Sequence, residues 1–134
     1  MKITIDLTEI LDHIYAESAW HAAYDEKIRL LTPDNERMLE MRIEDGLYDL
    51  RPRLAGYITQ WNYNPHLESG NISMTLQFRK EQPGAVEQAM HDAIVELLAA
   101  YALKCFYGEE GTYYGTAWRL YRTKVMLIMS RDQL

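Results

Sequence analysis

Four residues near the end of the chain, Gly108-Glu109-Glu110-Gly111, divide two long stretches of helical periodicity. Upstream, Val86, Met90, Ala93, Ile94, Leu97, Leu98, Tyr101, Cys105 and Phe106 recur at helical intervals, from just past Pro83-Gly84 to the stop at Gly108. Downstream, Tyr114, Ala117, Trp118, Tyr121, Val125, Ile128 and Met129 mark a second helix from about Thr112 to Ser130. A connection this short leaves two helices one arrangement, an antiparallel hairpin with their apolar stripes facing each other. Everything else in the chain must be arranged around that pair.

The preceding segments supply more helices and a little sheet. Lys2–Leu7 alternates Ile3, Ile5 and Leu7 with polar residues, as a short strand or an extended lead-in does. Thr8 suits an N-cap, and Leu7, Ile10, Leu11, Ile14 and Ala22 give a first helix out to about Tyr24. Thr32-Pro33 is a second helix start. From there Leu39, Ile43, Leu47, Leu50, Leu54, Tyr57 and Trp61 follow at steps of three and four, predicting one long helix. Pro52 interrupts it: a proline inside a helix removes the bond to the Tyr48 carbonyl and costs about 3 kcal/mol, which predicts a kink or break near Leu50–Pro52. Asn62, Asn64, Pro65, Ser69, Gly70 and Asn71 make a loop, and Ile72, Met74, Leu76 and Phe78 alternate with Ser73, Thr75, Gln77 and Arg79 as a one-faced strand. The fold class expected is mainly α (α+β): a small helical bundle with a long kinked central helix, one or two short strands and a C-terminal helical hairpin.

A chain of 134 residues suits one domain, here 1–134, and 48% hydrophobic against 25% charged residues excludes disorder as its basic state. Cys105 is the single cysteine, so no disulfide can form within the chain. No signal-peptide core opens the sequence and no apolar run reaches the 18 or so residues of a membrane span. The net charge of −6 is uneven. Residues 1–50 hold 5 basic against 12 acidic residues, net −7, whereas residues 112–134 hold Arg119, Arg122, Lys124 and Arg131 against Asp132, net +3. An acidic chain is a poor autonomous binder of nucleic acid. An acidic front and a basic back can instead meet in neighbouring copies, or simply be solvated helix faces.

No complete catalytic motif is present, neither a phosphate-binding GxxxxGK[ST] loop nor a GxSxG elbow, and no cofactor motif. His13, Glu17 and His21 recur at every fourth residue along one side of the first helix, a spacing that resembles a metal face without the HExxH pattern; surface residues explain it better. Cys105, on the apolar side of its helix and without a CxxC partner, reads as a small core residue. Glu44-Asp45 point about 100° apart on a helix and form no dyad. The aromatics around the hairpin turn read as a structural weld with an interaction rim, the alternative being a small-molecule pocket. For contacts with another chain the best candidates are Arg51, Arg53, Tyr107, Tyr113, Arg119 and Arg122, which combine guanidinium or aromatic chemistry with expected exposure at a bend, a turn or an outer face.

The hairpin residues Tyr101, Cys105, Phe106 and Tyr107, then Tyr113, Tyr114 and Ala117, together with Leu54, Tyr57 and Ile58 at the end of the central helix, give residues 34–131 a pattern that resembles the head–tail connector (adaptor, or neck-ring) proteins of tailed bacteriophages and prophages, especially those of Bacteroides-type hosts. Where that family carries a tryptophan before the hairpin turn, this chain has Cys105-Phe106-Tyr107. The resemblance implies a structural, non-catalytic virion protein. It would form a homo-oligomeric ring below the portal and touch portal and neighbouring neck or tail proteins. DNA would pass through the channel without sequence-specific binding, and no cofactor, metal or membrane would be involved. Such a protein would pass from host cytoplasm to virion, with Glu40, Glu44 and Asp45 as possible channel lining. The alternative is a cytosolic helical interaction module, a regulator or an immunity-type binder; an enzyme ranks third, and a metal on His13, Glu17 and His21 would revive it.

Overall fold

The structure, a computed structural model, describes residues 2–26, 28–63, 73–78 and 84–132. Its elements run β1 (Lys2–Asp6), α1 (Leu7–Tyr24), a 3-10 turn at Pro33–Asn35, α2 (Glu36–Leu54), β2 (Ile58–Tyr63), β3 (Ser73–Phe78), α3 (Gly84–Tyr107), a 3-10 turn at Gly108–Gly111, and α4 (Thr112–Asp132). The expected turn at 64–71, Ile72 at the head of its strand and Pro83 lie outside the described residues.

α3 is the axis of the molecule. α1, α2 and α4 all pack on it, and β1 lies against it too. Its burial explains its sequence. Met90, Ala93, Ile94, Val95, Leu97, Leu98, Ala99, Ala100, Ala102 and Leu103 are all buried, so α3 is apolar around most of its circumference rather than along one stripe. The outer helices are one-sided. α1 buries Leu7, Ile10, Leu11 and Ile14, α2 buries Leu39, Ile43, Leu47, Leu50 and Leu54, and α4 buries Tyr114, Val125 and Met129.

The mainly helical class and the packed α3–α4 hairpin are present as read from the sequence, with helix limits within a few residues of those expected. Three details differ. Asp6, not Thr8, precedes the first helix. The sheet has three strands, in the order β1-β3-β2 and antiparallel throughout, where one or two were expected. The additional strand is β2, which the helical stripe had absorbed through Tyr57 and Trp61. α2 runs through Pro52 without interruption, its core residues Leu50 and Leu54 fully buried on either side of the exposed ring, and it ends two residues later. With Pro52 unable to donate and Gly56 just beyond, the backbone leaves the helix. Ile58, Thr59, Trp61 and Tyr63 then prefer extended geometry, and pairing with β3 from Phe78 to Met74 fixes it. A register shift between Ile58 and Gln60 is bridged by the Thr59 hydroxyl, which donates to the Gln77 carbonyl at 3.1 Å.

Two glycines close the hairpin. Gly108 takes φ +59°, which ends α3 at a conformation costly for any residue with a Cβ. At Gly111 a Cβ would stand 2.6 Å from Tyr107 Cβ, so the turn can fold this tightly only without a side chain there. We expect Gly111→Ala to destabilise the chain by roughly 1–3 kcal/mol, through displacement of Tyr107 from the core, as read by urea denaturation.

A second clip joins α1 to α3. His91 Nε2 lies 2.8 Å from Glu9 Oε2 and its Nδ1 3.0 Å from Asp92 Oδ1. Burial disfavours the imidazolium, but hydrogen bonds to Asp92 and Glu9 outweigh it, and the His91 pKa is raised above its ordinary 6.5. A group with a raised folded pKa contributes fully below its unfolded value, and that contribution is lost as pH rises through the folded one. The urea midpoint should therefore fall between about pH 6 and pH 8, and His91→Gln should flatten that slope. A midpoint that rises over this range would contradict the clip.

Candidate interaction surface

The aromatic cluster at the hairpin turn is tied to the α1–α2 connection by a chain of buried hydrogen bonds. The Leu31 amide donates to Ser18 Oγ at 2.9 Å; Ser18 Oγ and Tyr107 Oη are 2.8 Å apart; and Tyr107 Oη donates to the Arg29 carbonyl at 2.6 Å. With the Tyr107 proton committed to Arg29, the Ser18 hydroxyl donates to Tyr107 and accepts from Leu31, so every group in the relay is satisfied. Burial raises the Tyr107 pKa against the opposing effects of Ser18 and Arg29, which keeps the phenol in its donor form. Beside the relay, Tyr107 stacks on Tyr114 with centroids 5.7 Å apart, Tyr114 hydrogen-bonds His21 Nδ1, and Tyr113 meets the His21 ring edge-on at 5.1 Å. The turn is thus welded to α1, and Ile28 and Leu31 are drawn into the core.

This places the six predicted contact residues in different roles. Tyr107 is 5% exposed and committed to the relay, so it is removed from the interaction rim: a tyrosine that ends a buried helix finds its hydroxyl partner inside the chain. Tyr113, next to it in the weld, is 60% exposed. Arg51 and Arg119 are exposed on α2 and α4. Arg53 and Arg122 come together: with Tyr57, Met126, Leu127 and Ser130 they line an open groove of about 390 Å³ between the end of α2 and the second half of α4. Each guanidinium is partly anchored, Arg53 to Asp49 at 3.7 Å and Arg122 over the Trp118 ring at 4.5 Å, where Lys104 also lies at 4.4 Å.

The three acidic candidates also separate. Asp45 is paired with Arg42 at 2.9 Å. Glu44 accepts from the Tyr48 hydroxyl at 3.4 Å. Glu40, half-buried beside α1, has a raised pKa from burial first and from Glu36 second.

His13, Glu17 and His21 do not act together. His21 is taken by Tyr114, while His13 and Glu17 edge a cleft shared with Glu96, Tyr113, Tyr114 and Tyr121. The cleft encloses about 20 Å³, room for roughly one water. Burial raises the pKa of both Tyr114 and Tyr121, Tyr121 with the added effect of Glu96, so these phenols remain donors facing carboxylates. Among the described residues no group of three His, Cys, Asp or Glu is arranged to hold a metal ion. Cys105 is exposed rather than in the core. α2 crosses α3 at Gly46, against Leu98 and Tyr101, and Cys105 lies a turn beyond that crossing.

Sequence reasoning passed over the outward-facing apolar residues. Trp20, Tyr24, Leu30, Met38, Met41, Tyr48, Leu120 and Leu127 are all exposed. Their signal was present as apolar residues falling off the core stripes: Met41 and Tyr48 on α2, Leu120 and Leu127 on α4, each pair seven residues apart. No helix of the described residues is long and apolar enough to cross a membrane. No family model matches the chain, no curated protein matches its sequence, and no solved structure matches its fold.

Tyr107→Phe keeps the ring stack but leaves Arg29 O without its donor and Ser18 without an acceptor. It should cost about 1–3 kcal/mol in chemical denaturation while the helical circular dichroism of the folded state is unchanged. An effect below about 0.5 kcal/mol would mean that the relay is replaced by water.

Proposed function

We propose that this protein works by surface contact, as a structural head–tail connector of a tailed bacteriophage that packs as a ring below the portal. The observation that carries this reading is the groove between α2 and α4. It is lined by the apolar Tyr57, Met126 and Leu127 together with two guanidiniums, Arg53 and Arg122, and it lies between two helices that both pack on α3. Such a surface suits a protein partner that presents carboxylates around an apolar contact, since the arginines supply orientation and the apolar lining supplies desolvated area. The likeness of residues 34–131 to connector proteins supplies the biological setting.

The competing reading, a helical module that caps another intracellular protein, uses the same groove. Particle composition separates the two. Quantitative mass spectrometry of purified, nuclease-treated particles from an induced culture of the source organism should find this chain at a fixed small multiple of the portal protein. Arg53→Glu with Arg122→Glu should lower that occupancy at least tenfold while the protein is still made. Particles rich in portal and capsid protein but free of this chain would sink the connector reading and favour the module.

A further inference from the structure

The cleft between α1 and α4 brings carboxylates and phenols together without a lysine or arginine to match them. Its lining takes Glu17 from α1, Glu96 from α3, and Tyr113 and Tyr121 from α4. Ala99, Ala100 and Ala117 also line it, and their small side chains leave a space that a leucine would fill. His13 is the one basic side chain among the described lining residues. No lysine or arginine occurs anywhere in α1, and α3 has only Lys104, which lies over the Tyr101 and Trp118 rings and does not line the cleft. On α4, Arg122 also lies over Trp118, and Arg119 stands about 160° around the helix from Ala117 and Tyr121. Arg131 is about 15 Å beyond Tyr121 along the same helix. The Asp92 carboxyl, held down first by its hydrogen bond from His91, also feels Lys124 from three residues past Tyr121.

We propose that this cleft receives the ammonium of a lysine presented by a partner protein. Its volume of about 20 Å³ holds one water-sized group. A lysine ammonium is that compact and a planar guanidinium is not, so size selects lysine over arginine. The three ammonium donors meet two carboxylates and a phenol oxygen, whereas a water would leave both negative charges unopposed. The Tyr121 phenol, its pKa raised by burial and then by Glu96, keeps its proton and adds no charge of its own. A second, independent feature is the row of exposed rings beside the cleft. Trp20, Tyr24 and Tyr113 are 59%, 77% and 60% exposed. Trp20 touches both Tyr24 and His21 with centroids 5.0 Å apart, Tyr113 meets His21 at 5.1 Å, and Tyr113 itself lines the cleft. Rings so placed cover the methylene stem of a lysine and attract its charge. The cleft shares no lining residue with the arginine groove, so the site stands whether the chain is a connector or a module.

Methyl NMR of the full chain, labelled with ¹³C at alanine, tests it at about pH 8, where an ordinary imidazole is neutral. The probes are a short capped glycine-serine peptide with one central lysine, its arginine and Nε-acetyl-lysine counterparts, and ammonium chloride. The lysine peptide should shift the Ala99, Ala100 and Ala117 methyls saturably, with a Kd at least tenfold below those of both counterparts and at least fivefold below that of ammonium chloride. Glu17→Gln with Glu96→Gln should weaken that binding at least tenfold. Ala117→Leu, which fills the cleft and leaves its charges in place, should do the same, with folding of both variants checked by circular dichroism. No saturable shift with the lysine peptide, equal binding of the arginine or acetylated peptide, or binding that survives both variants overturns the proposal. Ammonium chloride bound as tightly as the lysine peptide would give the cleft to a free cation and end the protein-partner assignment.

Discussion

A single buried hydroxyl, Ser18 Oγ, holds together three parts of the chain that the sequence separates widely. It takes the amide of Leu31, meets the phenol of Tyr107, and through that phenol reaches the carbonyl of Arg29. Without it, the connection between α1 and α2 would carry buried backbone groups with no partner, each costing on the order of 1–3 kcal/mol. With it, Ile28 and Leu31 become core residues, the start of α2 is fixed relative to α1, and the hairpin turn is tied to the opposite side of the bundle. Tyr107 can hold that place only because Gly108 turns the chain at once and Gly111 leaves room for it. The turn glycines and the buried serine are thus parts of one device.

That device makes α3 the axis on which the rest is hung. Helices with one apolar face bury it against a central helix that is apolar nearly all round, and the small sheet covers part of what remains through β1. The close crossing of α2 and α3 depends on Gly46, whose missing side chain lets Leu98 and Tyr101 approach; an added Cβ there would meet both at 3.1 Å. These inner contacts leave apolar residues of α2 and α4 exposed on their outer sides, among them Met41, Tyr48, Leu120 and Leu127.

The legible part of the sequence was what periodicity governs. The hairpin, the core stripes of all four helices and the strand at Ser73–Phe78 follow from spacing of three, four or two, because those periods are imposed locally by the backbone. The misread parts were set by distant partners. Tyr57 and Trp61 continue the helical spacing of α2, yet pairing with β3 claims their segment, and no local pattern announces a strand that forms only when its mate arrives. Cys105 continues the stripe of α3 but lies beyond the crossing with α2, and is exposed. Tyr107 looked like a rim residue beside a turn, whereas its hydroxyl is committed to Ser18 and Arg29, 89 and 78 residues away in sequence.

The same logic separates the two kinds of apolar residue on the outer helices. Leu39, Ile43 and Leu47 on α2 and Val125 and Met129 on α4 are explained by α3 and the core. Of the exposed ones, Tyr48 donates its hydroxyl to Glu44 and Leu127 lines the groove with Tyr57, whereas at Met41 and Leu120 helix propensity would be served as well by Glu, Lys or Gln. Single exposed apolar residues are ordinary on any surface, so their presence alone decides nothing. Nor does charge sort these faces: exposed Arg37 and Arg51 share the outer side of α2 with Glu44, so that face carries both signs.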